Sequence, residues 1–279
     1  MPVRNEMVYI SKAINSVLNQ TIPKESFEVL IADGNSTDGT LEILKEFASD
    51  NSNLQIIQNG NKIVSSGFNL ALNQAKGKYI LRVDGHCELP ENYIERCTNL
   101  LKENNAVIAG GKIETVSYGI IGNAIAKAQS SHFGVGGVPF RTAPGGNPIQ
   151  VDTLAFGLHS REVFSSLGGY DEEMVCNQDD EFNFRVIQSG GSIILDPALK
   201  VTYYSRLNFI HLFKQYFKYG LYKVRGIQKR KSLFSTRHLI PSLFVIIIGY
   251  GMFDWLLTFN GYFLGFFLGI YGIFNFISS

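Results

Sequence analysis

Residues 78–89 read KYILRVDGHCEL, in which a predicted strand is followed by a polar turn. Positions 79–83 are apolar and rich in β-branched and aromatic side chains apart from Arg82, a pattern that predicts a buried strand. Asp84 and His86 follow this strand with one glycine between them. Because ligands of open α/β sheets bind beyond the carboxyl ends of the strands, both side chains are placed for ligand contact.

The D-x-H sequence has two interpretations. A carboxylate and an imidazole two residues apart can bind one divalent cation and leave coordination positions open for a substrate. Gly85 would then let the backbone approach a bulky ligand such as a diphosphate. A solvated turn is the alternative, and D-x-H alone favours it, so the choice between them depends on the neighbouring motifs.

The chain on either side of this strand alternates strand and helix. The predicted strands are 27–32, 54–58, 78–83 and 107–111, and the predicted helices are 7–20, 40–49, 66–75 and 91–103. This order is typical of an α/β fold whose parallel sheet is covered on both faces. No strand is predicted before the helix at 7–20, so we expect the sheet to lack its first strand.

A second polar loop, ADGNSTDGT at 32–40, follows the predicted strand at 27–32. Ser36, Thr37 and Asp38 are explained by capping of the next helix. Asp33 is not explained in this way, because it lies at the end of the strand. A carboxylate there can accept hydrogen bonds from a ribose or a base.

A third cluster, NQDDEFNFR at 177–185, predicts the opening of a helix that runs to residue 188. Asp179, Asp180 and Glu181 fall in its first turn, where the helix macrodipole favours negative charge. A general base among the three is the other explanation, and the pattern leaves both open. Residues 133–148 hold five Gly and three Pro, which predicts a mobile binding loop without regular structure.

The C-terminal part of the chain has membrane character. Residues 239–279 carry one charged side chain, Asp254, and the runs 239–258 and 261–277 are each long enough, or nearly so, to cross a bilayer core of about 30 Å. The polar break at 258–261 predicts a hairpin between two transmembrane helices. A buried apolar hairpin in a soluble domain is the alternative.

Charge is divided unevenly along the 279 residues, although the net charge is only +1. Residues 1–196 hold 15 basic and 23 acidic side chains, whereas residues 197–253 hold ten basic and no acidic ones. The ten basic residues, called the basic belt below, are Lys200, Arg206, Lys214, Lys218, Lys223, Arg225, Lys229, Arg230, Lys231 and Arg237. A basic belt beside an apolar span predicts a cytoplasmic location and contact with anionic lipid headgroups. Nucleic-acid binding is the competing explanation, and the adjoining apolar runs argue against it.

Aromatic residues and lysines alternate within 209–222, which predicts an amphipathic helix at the membrane interface. Elsewhere, the three cysteines Cys87, Cys97 and Cys176 are irregularly spaced, without a C-x-x-C pair. This spacing argues against a disulfide framework or a zinc site and fits a reducing compartment.

Six motifs together resemble the family-two glycosyltransferases of the GT-A fold. They are PVRNE at 2–6, ADGNSTDGT at 32–40, AKGKYI at 75–80, VDGH at 83–86, GGYDE at 168–172 and QDDEFNFR at 178–185. Within that family the chain is most similar to membrane-anchored enzymes of exopolysaccharide assembly, such as those of succinoglycan synthesis. The resemblance implies a doubly wound mixed sheet in a catalytic domain at 1–199. A basic interfacial segment at 200–238 and two transmembrane helices at 239–279 would follow.

The resemblance implies roles for the matching residues at the first two strand ends. Pro2 and Glu6 match the loop after the family's first strand, which contacts the nucleotide. Asp33 matches the aspartate on the uracil or ribose side of the donor.

The resemblance also assigns the D-x-H pair and the acidic cluster. Asp84 matches the residue that meets the ribose and a Mn²⁺ or Mg²⁺ ion, and His86 matches the second metal ligand. Asp179 matches the general base, because it stands six residues before Arg185. Two positions depart from the family pattern: His86 replaces the usual second aspartate, and Gln178 replaces the glutamate that normally precedes the base.

The implied activity is that of an inverting, metal-dependent glycosyltransferase of the hexosyltransferase type. It would move a sugar from a nucleotide-diphospho-sugar, with a UDP-sugar favoured, to a lipid-linked or polysaccharide acceptor at the cytoplasmic face of the cell membrane. Two other classes are considered. A nucleotidyltransferase of related fold would need a glycine-rich basic loop where PVRNE stands, and an inactive membrane-bound sugar-nucleotide-binding protein would be expected to lack Asp84 or Asp179.

Overall fold

The computed structural model describes residues 1–205, 207–232 and 239–278. The strands are β1 Pro2–Val3, β2 Val29–Asp33, β3 Leu54–Gln58, β4 Tyr79–Leu81, β5 Cys87–Glu88, β6 Ile108–Val116, β7 Ile149–Gln150, β8 Leu158–Ser160 and β9 Ile193–Tyr204. The helices are α1 Ile10–Leu18, α2 Thr40–Asp50, α3 Val64–Gln74, α4 Tyr93–Glu103, α5 Gly119–Ser130, α6 His132–Val135, α7 Pro139–Thr142, α8 Arg161–Leu167, α9 Gln178–Gln188, α10 Phe209–Arg230, α11 Ile240–Thr258 and α12 Tyr262–Ser278. Most of the elements predicted from the sequence are therefore present.

The first sheet is parallel and has the order β1-β2-β3. Pro2 pairs with Ala32 and Val3 with Asp33, so a two-residue strand stands where the sequence analysis expected none. That expectation was wrong because a strand of two residues is too short to have a hydrophobic period. The short strand brings the loop at residues 4–6 beside the end of β2.

The second sheet is mixed, with the order β4-β8-β6-β9-β5 and with β7 paired to β9. Strands β6 and β9 are parallel, whereas β4 and β6 each pair with β8 in antiparallel orientation. The expectation of a wholly parallel sheet therefore holds only for β1–β3, and the mixed sheet implied by the family resemblance is confirmed. The prediction of parallel pairing failed here because β8 lies between β4 and β6 in the sheet but follows both of them in the sequence. Strands β4 and β6 therefore do not pair with each other directly.

The core lies between the sheets and the helices that cover them. The predicted inward face of α1 is confirmed, since Ile10, Ala13, Ile14, Val17 and Leu18 are all buried. They pack in one apolar cluster with residues of β2, β6 and α4. At about 25 cal/mol per Å² of apolar surface, this burial anchors the loops that leave the strand ends.

Residues 133–148 contain two single helical turns, α6 and α7. The prediction that this stretch has no regular structure was therefore wrong. Pro139 stands at the start of α7, where its missing N–H costs nothing, and Gly136 ends α6 with a positive φ of 64°. In this stretch Gly136 thus ends one short helix and Pro139 begins the next.

The C-terminal region consists of one long amphipathic helix and two apolar helices. Helix α10 exposes Phe209, Ile210, Phe213 and Phe217, as expected for an interfacial helix. Among the described residues one helix, Ile240–Thr258, is long and apolar enough to cross a membrane, and 262–277 forms a shorter apolar helix. The two pack together through aromatic contacts such as Phe244 with Tyr271, at 4.9 Å between ring centroids.

Candidate active site

The loops after β1 and β2 are joined by hydrogen bonds. Asn5 accepts a hydrogen bond from the backbone N–H of Thr37 at 2.9 Å and donates its own backbone N–H to Ser36 at 3.0 Å. Asp38 accepts hydrogen bonds from the backbone N–H groups of Thr40 and Met7. The N-cap of α2 is Gly39, so Asp38 is not the N-cap residue, and its carboxylate instead links the first residue of α2 with the loop that leads to α1.

Asp33 and Pro2 lie at the base of these loops. Asp33 is buried at the end of β2, and its carboxylate accepts hydrogen bonds from the backbone N–H and the hydroxyl of Ser36 at 3.1 and 2.5 Å. Pro2 is buried in β1 opposite Gly67, where an added Cβ would lie 3.2 Å from the ring. The role of both residues in nucleotide binding stays a prediction.

The turn after β4 is shaped by Glu6. A Cβ on Gly85 would lie 2.8 Å from Cγ of Glu6, so the glycine is needed for the approach of the Glu6 side chain. Glu6 Oε1 and His86 Nδ1 are 2.9 Å apart. Gly85 was expected to make room for a bulky ligand, but the group that lies against it is the side chain of Glu6.

The contact with Glu6 favours the protonated form of the His86 ring. Burial lowers the pKa of its ring, but Tyr203, the hydrogen bond to Glu6 and the charges of Glu6 and Asp84 raise the pKa to about 10. An imidazole ligates a metal only in its neutral form. Metal binding by His86 would therefore require loss of this proton.

Arg82 connects the D-x-H turn with the acidic cluster of α9. Its Nε and Nη2 donate to the two carboxylate oxygens of Asp84 at 3.0 and 2.9 Å. Its Nη1 donates to Oδ2 of Asp179 at 3.3 Å. Two predicted site residues that stand far apart in the sequence are therefore brought together by one guanidinium group.

Asp179 is the member of the acidic cluster that faces this site. Its side chain keeps 30% of its surface exposed, so a substrate hydroxyl can reach it. Desolvation and the neighbouring Asp180 raise the pKa of Asp179, against the lowering effect of Arg82. A carboxylate with a raised pKa is a better proton acceptor, as a general base requires.

The two other carboxylates of the cluster are engaged elsewhere. Asp180 accepts a hydrogen bond from Thr153 at 2.5 Å and forms an ion pair with Lys223. Glu181 is 1% exposed and pairs with Arg185 at 2.9 Å and with Arg230. These contacts give both residues structural roles, which supports Asp179 over its neighbour as the candidate base.

Helix α10 packs on the loop that leads to α9. Lys229 pairs with Asp171 at 2.8 Å and with Glu173 at 2.9 Å, and the side chain of Asn177 donates to the backbone oxygen of Tyr219. The expectation that the whole basic belt faces lipid headgroups was therefore wrong for Lys223, Lys229 and Arg230. Arg206 and Arg237 of the belt lie outside the described residues.

Arg82 is the functional residue that the sequence analysis missed. The signal was present, because a charged residue interrupts an otherwise apolar strand. Residues i and i+2 of an extended chain point to the same side, so Arg82 was placed to meet Asp84. Its second contact, with Asp179, depends on tertiary structure and has no local signal.

Asp84 and His86 are residue types that can ligate a divalent cation shared with a substrate, although both have protein partners in this structure. Within the described ranges, no three His, Cys, Asp or Glu side chains come together as a metal site. Mg²⁺ is commonly bound by one or two protein carboxylates together with substrate phosphates, so two protein ligands are enough for such a site. Both oxygens of Asp84 are, however, already engaged by Arg82.

Comparison with known proteins identifies the family. The model of the glycosyl transferase family 2 matches residues 1–167, which include the strand ends described above. The chain belongs to this family. The resemblance inferred from the six motifs is thereby confirmed.

Two curated relatives extend the match over most of the chain. The chain is 31% identical to the succinoglycan biosynthesis protein ExoA of Rhizobium meliloti over 90% of its own length and 76% of that protein. It is 30% identical to a dolichyl N-acetyl-alpha-D-glucosaminyl phosphate 3-beta-D-2,3-diacetamido-2,3-dideoxy-beta-D-glucuronosyltransferase of Methanococcus voltae, over 89% of the chain and 78% of that enzyme. This glycosyltransferase therefore has relatives in bacteria and archaea.

Solved structures support the GT-A-like fold. S. aureus TarS 1-349 in complex with UDP-GlcNAc superimposes with a TM-score of 0.59 and 20% identity, over 80% of this chain and 64% of that one. GalNAc-T7 with UDP, GalNAc and Mn²⁺ gives a TM-score of 0.57 and 15% identity, over 72% of this chain and 42% of that one. The glycosyltransferase thus spans less than two thirds of the length of these structures.

Proposed function

We propose that this glycosyltransferase moves a sugar from a nucleotide-diphospho-sugar to an acceptor hydroxyl by a single displacement that inverts the anomeric carbon. The observation that carries the proposal is the meeting of Asp84 and Asp179 through Arg82 at the carboxyl end of β4. Asp84 belongs to the donor side of the site and Asp179 to the acceptor side. The reacting carbon would lie between them.

Asp179 would act as the general base. Its exposed carboxylate would take the proton of the acceptor hydroxyl while the hydroxyl oxygen attacks the anomeric carbon, and the nucleoside diphosphate would leave from the opposite face. Its raised pKa supports proton uptake by this carboxylate. Because one displacement occurs, an α-linked donor would give a β-linked product.

Pro2, Glu6, Asp33 and Asp84 would bind the donor. A UDP-sugar is favoured, because the neighbouring TarS structure contains UDP-GlcNAc and GalNAc-T7 contains UDP. Asp84 and His86 would hold a Mn²⁺ or Mg²⁺ ion, whose charge offsets that of the diphosphate when it is bound. GalNAc-T7 contains Mn²⁺, which supports this assignment.

Nucleotide binding tests the donor assignment. Full-length protein in detergent is titrated calorimetrically with UDP, GDP and dTDP in the presence of Mn²⁺. We expect UDP to bind at least about tenfold more tightly than GDP, since a pyrimidine site rejects the larger base. Tighter binding of GDP would contradict the UDP assignment, and binding of none of the three would contradict donor binding at this site.

Removal of divalent cations is expected to abolish transfer. Excess EDTA should stop the reaction, and Mn²⁺ or Mg²⁺ added above the EDTA concentration should restore it. His86→Ala should raise the Mn²⁺ concentration for half-maximal activity by about 10- to 100-fold and change the KM of the donor less. The control is EDTA already saturated with Mn²⁺, and full activity in excess EDTA would contradict the role of the metal.

The acceptor is proposed to be lipid-linked or polysaccharide, presented at the cytoplasmic face of the cell membrane. The support is the exposed apolar face of α10, the apolar helix α11 and the likeness to a succinoglycan biosynthesis protein. We further propose that α11 and α12 both span the membrane, with 258–261 as the turn between them. Both chain ends would then lie in the cytoplasm.

A reporter fused after Ser279 tests this topology. Alkaline phosphatase, which is active only outside the cytoplasm, should be inactive at this position, whereas green fluorescent protein should be fluorescent. The matched control is the same fusion in a chain that lacks residues 259–279, where the reporter would follow a single span and report the other side. Phosphatase activity after Ser279 would show that only one helix spans.

The two other functional classes have little support at this site. A nucleotidyltransferase is disfavoured by PVRNE at the first strand end, where such enzymes need a glycine-rich basic loop. A protein that only binds sugar nucleotides has no need of a base, yet Asp179 faces the site with its carboxylate accessible. Use of a nucleotide sugar as donor distinguishes a glycosyltransferase from a nucleotidyltransferase. Transfer of the sugar to an acceptor distinguishes it from a protein that only binds sugar nucleotides.

A further inference from the structure

Arg82 is a buried charge at the centre of the site. Its side chain is 7% exposed, and its guanidinium lies 6.0 Å from the ring centroid of Phe156. Such a group is costly to bury unless its hydrogen bonds are made and its charge is balanced. The carboxylates of Asp84 and Asp179 balance the charge and accept three hydrogen bonds from the guanidinium, and the Tyr170 hydroxyl is a further hydrogen-bond partner of Arg82.

The geometry of the contact with Asp84 is bidentate. Two N–H groups of the guanidinium point at the two carboxylate oxygens at 3.0 and 2.9 Å, which is the strongest arrangement of an arginine–carboxylate pair. The third contact, to Asp179, uses the remaining terminal nitrogen. The ammonium group of a lysine is a point charge without this planar fork, so it could not make the same three contacts.

We propose that Arg82 is the resident counter-ion of this site, a positioning residue that holds Asp84 and Asp179 together and competes with a divalent cation for the carboxylate of Asp84. An arginine stays protonated at any pH at which the protein is folded, so its charge is permanent. A metal ion on an Asp84 oxygen would lie beside the guanidinium, and the two positive charges would repel each other while sharing one carboxylate. Metal affinity in the absence of the donor is therefore kept low by Arg82.

The inference concerns Asp84 and its partner and does not depend on the transfer reaction. It can be tested without a sugar donor, so its failure would not be confused with a failure of the proposed function. It also explains how D-x-H can serve as a metal motif although no three-ligand cluster exists among the described residues. The donor's phosphates would supply the remaining ligands of the metal ion.

The test is direct Mn²⁺ binding to full-length protein in detergent without nucleotide. Free Mn²⁺ is measured by electron paramagnetic resonance for the wild type, Arg82→Met, Arg82→Lys, Asp84→Asn and the double variant Arg82→Met/Asp84→Asn. We expect Arg82→Met to bind Mn²⁺ about tenfold more tightly than the wild type, within the range by which groups beside metal ligands change affinity. The double variant and Asp84→Asn should bind no more tightly than the wild type.

Arg82→Lys keeps the proposal testable if Arg82→Met does not fold. Its single ammonium cannot cover both oxygens of Asp84, so we expect Mn²⁺ to bind more tightly than in the wild type and less tightly than in Arg82→Met. A purely structural role for Arg82 would leave Mn²⁺ affinity unchanged in folded Arg82→Lys. Unchanged or weaker binding in the folded variants, or tight binding that survives Asp84→Asn, would overturn the proposal.

Discussion

Asp179→Asn is expected to lower kcat by about 10²- to 10⁴-fold and to leave the affinity for the nucleotide within about threefold of the wild type. The physical reason is that the asparagine amide cannot take the proton of the acceptor hydroxyl. It keeps nearly the same shape and can still accept a hydrogen bond from Arg82. Turnover is measured as nucleoside diphosphate release, and nucleotide affinity is measured by calorimetry.

The matched control for this prediction is Asp180→Asn. Its carboxylate is held by Thr153 and Lys223 and does not face Arg82, so its loss should change kcat far less than the loss of Asp179. A near-normal kcat in Asp179→Asn together with an inactive Asp180→Asn would move the base by one residue. Equal and severe loss in both variants would indicate damage to the first turn of α9.

Arg185→Met is expected to lower the free energy of unfolding by about 3 kcal/mol. Arg185 pairs with Glu181, whose side chain is 1% exposed, and donates to the backbone oxygen of Gly169 at 2.8 Å. In the variant the buried carboxylate of Glu181 keeps its ion pair with Arg230 and loses the one with Arg185. The measurement is chemical unfolding of the detergent-solubilised protein, followed by fluorescence.

Lys200→Met, which removes an exposed ion pair, is the matched control for the loss of the buried pair of Arg185 and Glu181. Lys200 pairs with Glu114 at 3.5 Å, and both side chains are more than half exposed, so its loss should cost under about 1 kcal/mol. The double variant Arg185→Met/Glu181→Gln should recover part of the stability lost in Arg185→Met, because it removes the buried charge. A stability change for Arg185→Met as small as that for Lys200→Met would contradict the structural role of this pair.

Much of the fold could be predicted because hydrophobic period and strand-end loops are local. The bounds predicted for the strand at 54–58 agree with β3, and the buried face of α1 agrees residue by residue. Strand β1 was missed because a strand of two residues is too short to show a hydrophobic period in the sequence. The alternation of strands and helices predicted a parallel sheet, and the mixed pairing followed only from the family resemblance, because local patterns do not record pairing partners.

The candidate site could be predicted only in part. Glu6, Asp84, His86 and Asp179 do lie around one centre, but the contacts that join them were not foreseen. Glu6 meets His86 and Arg82 meets Asp179 across more than 70 residues of sequence, so both contacts depend on the tertiary structure. The basic belt was assigned to lipid from its composition, but four of its side chains, Lys200, Lys223, Lys229 and Arg230, pair with carboxylates that precede the belt in the sequence.

The most direct test of the central claim is transfer of labelled sugar by membranes that contain the full-length chain. UDP-, GDP- and dTDP-linked sugars carrying a radioactive label are supplied one at a time with Mn²⁺, and label is followed into the lipid and polysaccharide fractions. The account predicts that a UDP-sugar is used and that label enters one of these fractions as UDP is released. It also predicts that membranes with Asp179→Asn release UDP at least about 100-fold more slowly, while the variant still binds UDP. It would be contradicted if no nucleotide sugar were used above the level of membranes lacking the chain, or if Asp179→Asn transferred label as fast as the wild type.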